Sequence, residues 1–388
     1  ERIAEIGKEN VINSTIGVLL DDNGKLVVLS SVMDALHTLQ PEDFAAYAPI
    51  VGIPEYKEAV TKAVFMEEIP QNTYIETCFT PGGTGALRNA ISCYSSPGDK
   101  ILTSDWHWAP YNVIAAELGR EVTTYTLFDD TFHFNATSFH QALSEILAAQ
   151  DQAVVIINTP AHNPTGYTFT LEDWDKVIQI FRSFPDKNII CVVDIAYLDF
   201  AGDAWEYRCF LKKLGGLPQH ILPLIAFSAS KGFTMYGMRC GALLCMAPTA
   251  ELAKEFKDAA SAASRASWSN GNHAAMAVIS KIFADDELLA NVTSERNLYM
   301  KTLQERGAAF MEEAAKISLK CCPYDSGFFI TIPCENAEEV GKALQSLNVF
   351  AIPLGPGIRI SVASNTVSEC RALPDKLKQA IQLVNDNK

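Results

Sequence analysis

The chain has 388 residues, 48% apolar and 20% charged, with 31 Lys plus Arg against 46 Asp plus Glu and a net charge of −15. A composition of this kind buries a large core and excludes a disordered or fibrous chain. The negative field repels phosphate backbones, and with no basic patch in the sequence it argues against nucleic-acid binding.

From about residue 73 to residue 250, short β-branched runs alternate with amphipathic stretches, the pattern of a mostly parallel sheet covered by helices. Strands are predicted at 100–104, 121–127, 153–158, 188–194, 222–227 and 241–246. A long helical region follows over 251–317, with a break near 268–272. Short strands are then predicted at Lys320, 328–332, 349–353 and 358–362, with helices at 337–347 and 369–385. The expected architecture is α/β: a large domain over 41–290, and a smaller α+β domain built from both termini, 1–40 and 291–388.

Ten cysteines lie at scattered spacings, and the adjacent pair Cys321-Cys322 matches no zinc or redox motif. Reduced thiols, a cytoplasmic location and no metal are expected. The longest apolar runs, such as 221–228, are too short to cross a bilayer, so no membrane partner is expected.

Open α/β sheets bind ligands at the carboxyl ends of their strands, and unusual residues fall there. Thr80-Pro81-Gly82-Gly83-Thr84-Gly85 is a glycine-rich turn opening a helical pattern. Its free amides and the Thr84 hydroxyl suit an anion, although a plain tight turn reads the same way. In Asn158-Thr159-Pro160-Ala161-His162-Asn163-Pro164-Thr165-Gly166 the prolines and glycine can aim the Asn163 amide, or simply turn the chain. Asp194 ends a buried strand, where a carboxylate needs a cationic or strongly donating partner. A protonated pyridine ring is one such partner, and a structural cation or an N-cap role is another. The segment Ser228-Ala229-Ser230-Lys231, continuing to Arg239, follows a nearly pure apolar strand. A lysine there is either an ordinary solvated loop residue or an amine whose pKa is lowered enough to form a Schiff base. Arg239 could supply the depressing charge and grip a phosphate in its guanidinium fork.

These four strand-end motifs, in this order, resemble the signature of fold-type I pyridoxal-phosphate enzymes, specifically the aspartate/aromatic class I aminotransferases. The resemblance covers most of the chain. It extends to Gly17, Tyr47 followed by Gly52-Ile53-Pro54-Glu55, Trp108, Arg265-Ala266-Ser267-Trp268-Ser269-Asn270 and Arg359. It implies pyridoxal 5'-phosphate as cofactor, held by Lys231 as an aldimine, with Lys231 also shuttling the α-proton. It further implies that Asp194 keeps the pyridine nitrogen protonated, that Asn163 and Tyr197 bond the ring's phenolic oxygen, and that Trp108 stacks on the ring. Gly83, Thr84, Ser228 and Arg239 hold the phosphate in this reading, joined by Tyr47 from the neighbouring subunit of a homodimer with shared sites. Arg359 and Gly17 receive the substrate's α-carboxylate, and Arg265 reaches from the partner to a distal carboxylate.

The implied activity is ping-pong transamination between an amino acid and a 2-oxo acid. Aspartate and glutamate are favoured, with aromatic amino acids as further substrates. Three departures from the family pattern stand out. Tyr111 and Asn158 occupy positions where histidines are common, both beside the support of Asp194. Leu19-Leu20 makes the entrance more apolar. The segment 321–329 lines up loosely and leaves Phe328 and Phe329 both as candidates to face the substrate. A carbon–sulfur β-eliminating lyase of the same fold is the rival enzyme. A non-catalytic, cofactor-sensing regulatory module is a weaker alternative, since no basic helix-turn-helix segment precedes residue 40.

Overall fold

The computed structural model describes residues 2–7, 10–66 and 68–386. Contacts divide the chain into two compact units: 28–159 with 169–296, and 1–27 with 160–168 and 297–388.

In the larger unit, seven strands of the described residues hydrogen-bond into one sheet. Across it run Tyr74–Thr80, Gly241–Ala247, Ile221–Ser228, Asn188–Asp194, Gln152–Asn158, Lys100–Ser104 and Glu121–Tyr125. All neighbours are parallel except at Gly241–Ala247, which runs antiparallel to both of its partners. The two strands Ile221–Ser228 and Gly241–Ala247 are buried along their whole length, which is why they read as continuous apolar runs without alternation. Leu87 and Ile91 of the helix Gly82–Tyr94 join Ile156, Val192, Leu224, Leu243 and Phe256 in one core cluster. Each such side chain contributes roughly 1.5–3 kcal/mol by leaving water.

Local chemistry sets where the covering helices begin. Thr170 and Asp173 form a reciprocal capping box at the start of Leu171–Arg182. Asn135, Thr249 and Asn272 each accept a backbone N–H at the start of their helices, Ala136–Ala149, Ala250–Ser267 and His273–Ala284. The expected helical break lies between the last two, where Ser269 takes a left-handed conformation (φ 66°).

In the smaller unit, Phe329–Pro333, Gly357–Ser361 and Ile352–Leu354 form an antiparallel sheet. Val349–Phe350 pairs in parallel with Ile12–Asn13. The single strand expected over 349–353 is therefore two short strands, each drawn to a different partner. Lys320 lies in no strand; the pairing beside it is one bond, from Cys322 N to Thr331 O at 2.9 Å. Arg306, 1% exposed, joins both ends of the chain: Nη1 donates to Ala363 O at 2.9 Å, and Nη2 to Leu20 O at 3.0 Å and Asp22 Oδ1 at 2.9 Å.

The units' borders differ from the expected ones at 40 and 290. Residues 28–40 belong with the larger unit, where Leu29 N donates to Thr234 Oγ1 at 3.0 Å and Ser31 N to Glu295 Oε1 at 3.2 Å. The excursion 160–168 belongs with the smaller unit, because Thr168 N donates to Asp325 Oδ2 at 2.7 Å and Asp325 N to Gly166 O at 2.9 Å. Gly166 is left-handed (φ 81°), and a Cβ there would lie 2.8 Å from Phe329 O, so only glycine permits that approach.

Candidate active site

In the larger unit the unusual residues gather at the carboxyl ends of the parallel strands. Asn158 and Asp194 are register partners there. Asp194 is 5% exposed. Its Oδ2 accepts from Tyr111 Oη at 2.7 Å and its Oδ1 from Ala196 N at 3.1 Å. Its backbone carbonyl accepts from Asn158 Nδ2 at 2.8 Å. The two residues flagged as departures from the family pattern thus both bond Asp194. Burial pushes the Asp194 carboxyl pKa up, against the pull of the Tyr111 hydroxyl, the Ala196 N–H and the Lys231 ammonium.

Lys231 sits in the one-turn helix Ala229–Gly232, which starts where Ser228 Oγ accepts from Ser230 N at 3.3 Å. Its Nζ lies 5.4 Å from the centroid of the Tyr197 ring and 6.0 Å from that of Tyr236. Burial lowers its pKa, and the Arg239 charge adds to that effect while Asp194 opposes it. The amine is therefore held closer to its neutral, nucleophilic form than a solvated lysine.

Beside it lies an anion cradle. Gly82 is left-handed (φ 73°), and a Cβ on it would be 2.6 Å from Arg239 Nη2, so the absent side chain leaves room for the guanidinium over the start of helix Gly82–Tyr94. Arg239, itself left-handed (φ 52°), donates through Nη1 to Tyr236 O at 2.8 Å and to Ser230 Oγ at 3.5 Å. A Cβ on Gly83 would lie 3.3 Å from Ser228 Cβ, and Thr84 is exposed at the same helix end. Backbone amides, two serines and a guanidinium in one place suit a phosphate dianion. Ser230 belongs to this group, and its only sequence signal was the small hydroxyl residues flanking the lysine.

An aromatic wall stands on the other side of Tyr111. Trp108, half-buried, meets the Tyr111 ring edge-on at 5.6 Å, and His107 stacks on it at 6.2 Å. Tyr111 is fully buried, and burial together with Asp194 holds its hydroxyl well above the ordinary phenol range, so it stays a donor at every working pH. A buried carboxylate against a phenolic donor, a low-pKa amine and an anion cradle fit a phosphorylated pyridine aldehyde. Tyr111→Phe should destabilise the protein by about 1.5–3 kcal/mol at neutral pH, the worth of a hydrogen bond to a charged group. Because Tyr111 is among the groups lowering the Asp194 pKa, that cost should shrink as acid protonates Asp194. Denaturant midpoints of the two proteins across pH test this; a constant difference between them would contradict it.

Tyr47 and Arg265 are both exposed and lie on linked segments of the larger unit. Tyr47 is 89% exposed. Arg265 Nη1 donates to Ser269 Oγ at 2.9 Å, and the neighbouring Asn270 Nδ2 donates to Ala48 O at 2.7 Å, which joins the two segments. Among the described residues none covers the Tyr47 side chain.

In the smaller unit, Arg359 comes from the strand Gly357–Ser361. Its Nη1 donates to Asn163 Oδ1 at 3.3 Å, and its Nη2 to Thr15 O at 3.4 Å. Its guanidinium carbon stands 4.3 Å from the Phe329 ring centroid, and a Cβ on Gly17 would lie 3.7 Å from Phe329 Cζ. Gly17, Asn163 and Arg359 are therefore neighbours, with Thr15 as a member that sequence reading missed and Phe329 as one that it left open against Phe328. Of the two phenylalanines, Phe329 is the one stacked on the arginine.

The family model described as "Aminotransferase class I and II" matches residues 9–377. The chain is 30% identical over 313 residues to an aspartate aminotransferase from Salmonella typhi, covering 76% of this chain and 77% of that one. It is 28% identical to the aromatic-amino-acid aminotransferase of Escherichia coli K12, covering 82% and 79%. Among solved structures, an aminotransferase from Anaerococcus prevotii DSM 20548 superposes with a TM-score of 0.95 at 36% identity, over 98% of this chain and 93% of the other.

Proposed function

This chain belongs to the class I and II aminotransferases, and on that premise we propose that it is a pyridoxal-phosphate-dependent transaminase preferring dicarboxylic amino acids, with aromatic amino acids as secondary substrates. The observation that carries the reading is the half-buried Lys231 with the buried Asp194 beside the Arg239 cradle.

When bound, pyridoxal phosphate supplies a carbonyl that takes up the amino group and a protonated ring that spreads the electron pair left at the substrate's α-carbon. Lys231 Nζ would hold the cofactor through its amine, and the same amine would serve as the base for the substrate's α-proton. Asp194 holds the proton on the ring nitrogen, with its own carboxylate oriented by Tyr111 and the Ala196 N–H. Gly83, Thr84, Ser228 and Arg239 would hold the phosphate, Tyr197 and Asn163 would bond the ring oxygen, and Trp108 would stack on the ring. Arg359 takes the α-carboxylate beside Gly17, its plane set by Phe329 and its donors directed by Asn163 and Thr15.

The exposure of Tyr47 and the bonded link between its segment and that of Arg265 support a homodimer in which both residues serve the neighbouring subunit's site. Arg265 then pairs with the substrate's distal carboxylate. The same arginine disfavours the β-eliminating lyase, whose substrates need no such partner. The ten free thiols support a reducing, cytosolic setting.

Arg265→Ala tests the substrate class. Loss of a charge partner for a desolvated carboxylate costs roughly 2–5 kcal/mol. Accordingly kcat/KM for aspartate should fall by about 30- to 5,000-fold, with little change for phenylalanine. Equal losses for both would remove Arg265 from the substrate pocket.

A further inference from the structure

The larger unit also holds a buried charge cluster with a cavity beside it. Asp199, two residues after Tyr197, is 10% exposed and pairs with two arginines: Oδ1 with Arg208 at 2.6 Å and Oδ2 with Arg296 at 3.3 Å. A Cβ on Gly232 would collide with Asp199 Oδ2, so this carboxylate is seated against the residue that follows Lys231. Arg208 uses its donors within the protein, on Ala63 O at 3.1–3.2 Å, Ala204 O at 2.9 Å and Asp199. Arg296 does not. Among the described residues it makes one ion pair, through Nη1, and lays its guanidinium carbon 5.7 Å from the Phe233 ring centroid.

Arg296 and Phe233 line a cavity of about 470 Å³, a size suited to a small organic ligand. Met66, Phe283 and Leu289 complete its apolar walls. Among the described residues its charged lining is Lys62, Arg208 and Arg296 against Asp199 and Asp286. An apolar chamber with an excess cation, 12% exposed and only partly paired, calls for an anion carrying an apolar body.

We propose that this cavity is a second ligand site, which takes a small apolar monocarboxylate with its carboxylate on Arg296, and that its occupancy is felt at Lys231 through Asp199 and Gly232. The ligand's carboxylate engages the guanidinium that holds Asp199 in place. Its body packs against Phe233, two residues beyond Lys231. Any change in the Asp199–Arg296 pair is thus transmitted by direct contact to the backbone carrying the amine.

The probe is 3-phenylpropionate, titrated calorimetrically into the holoenzyme of Arg359→Leu, which disables carboxylate binding at the site of the proposed reaction. One site per chain is expected. Affinity should drop at least about tenfold in that background when either Arg296→Gln removes the cation or Leu289→Trp fills the chamber with the charges intact. No binding to Arg359→Leu, or binding indifferent to both further changes, overturns the site. The coupling is read separately: the pH midpoint of the bound cofactor's absorbance should shift on adding the probe, and an unmoved midpoint at saturation overturns that part. The calorimetric arm involves no turnover. Failure of the transaminase reading, which the absorbance readout rests on, would show independently as no conversion of aspartate by the unmodified protein.

Discussion

Lys231→Ala is expected to abolish transamination while leaving the fold intact. Lys231 is assigned both the covalent anchor and the base for the α-proton, and a positioned base alone is worth roughly 10²–10⁴-fold in rate. Losing both functions should lower kcat with aspartate and 2-oxoglutarate by about 10⁴-fold or more. The variant should still take up the cofactor through the Arg239 cradle, but without the absorbance of the lysine-bound form. The fold should survive because the removed amine is desolvated and its charged form is already disfavoured. Circular dichroism and the thermal midpoint check this. Turnover within tenfold of the parent would remove Lys231 from the chemistry.

Asp194→Asn is the second large effect, and it acts in two directions that can be measured apart. Of the influences on the Lys231 amine, burial and Arg239 lower its pKa and Asp194 alone raises it. Without the carboxylate that pKa falls further, so the neutral fraction of the amine at a given pH increases. Titration of the lysine amine in the cofactor-free variant should show a lower midpoint than in the parent. Turnover should nevertheless fall, because a ring nitrogen deprived of its anionic partner loses its proton. Breaking a buried charge pair costs roughly 3–5 kcal/mol, a rate loss of about 150- to 5,000-fold. A raised amine midpoint would contradict the charge assignment, and unchanged turnover would contradict the role at the ring nitrogen.

Both residues were visible in the sequence for the same reason. An aspartate at the end of a buried strand, or a lysine three residues past one, stands where burial penalises its charge, although a solvated loop lysine and a capping or ion-paired aspartate read the same way. The glycine-rich turn of Gly82 and Gly83 was legible likewise, since open strand-to-helix turns leave free amides at a helix start. Even so, the turn alone read equally well as a tight turn. What made room for Arg239 is the side chain missing from Gly82, 157 positions away, which no local pattern reveals.

Other parts depended on contacts between distant segments. Tyr111 reaches Asp194 across 83 positions, and Arg359 reaches Asn163 across 196. The choice between Phe328 and Phe329 was settled only by which ring faces the guanidinium of Arg359. The excursion 160–168 lies inside the sequence range of the larger unit, yet it belongs to the smaller one, where Thr168 N bonds Asp325.

By itself the sequence determined the α/β class and most strand and helix positions and pointed to the candidate site residues, because hydrophobic period, capping chemistry and misplaced charge are local properties, while the family was legible through the resemblance of the strand-end motifs. Tertiary structure alone decided the partners of Asp194 and Arg359, the borders of the two units, the splitting of 349–353 between two sheets and the Asp199 charge cluster. These depend on which surfaces meet when distant segments pack, and the free energy of a buried contact belongs to the pair and to neither residue alone.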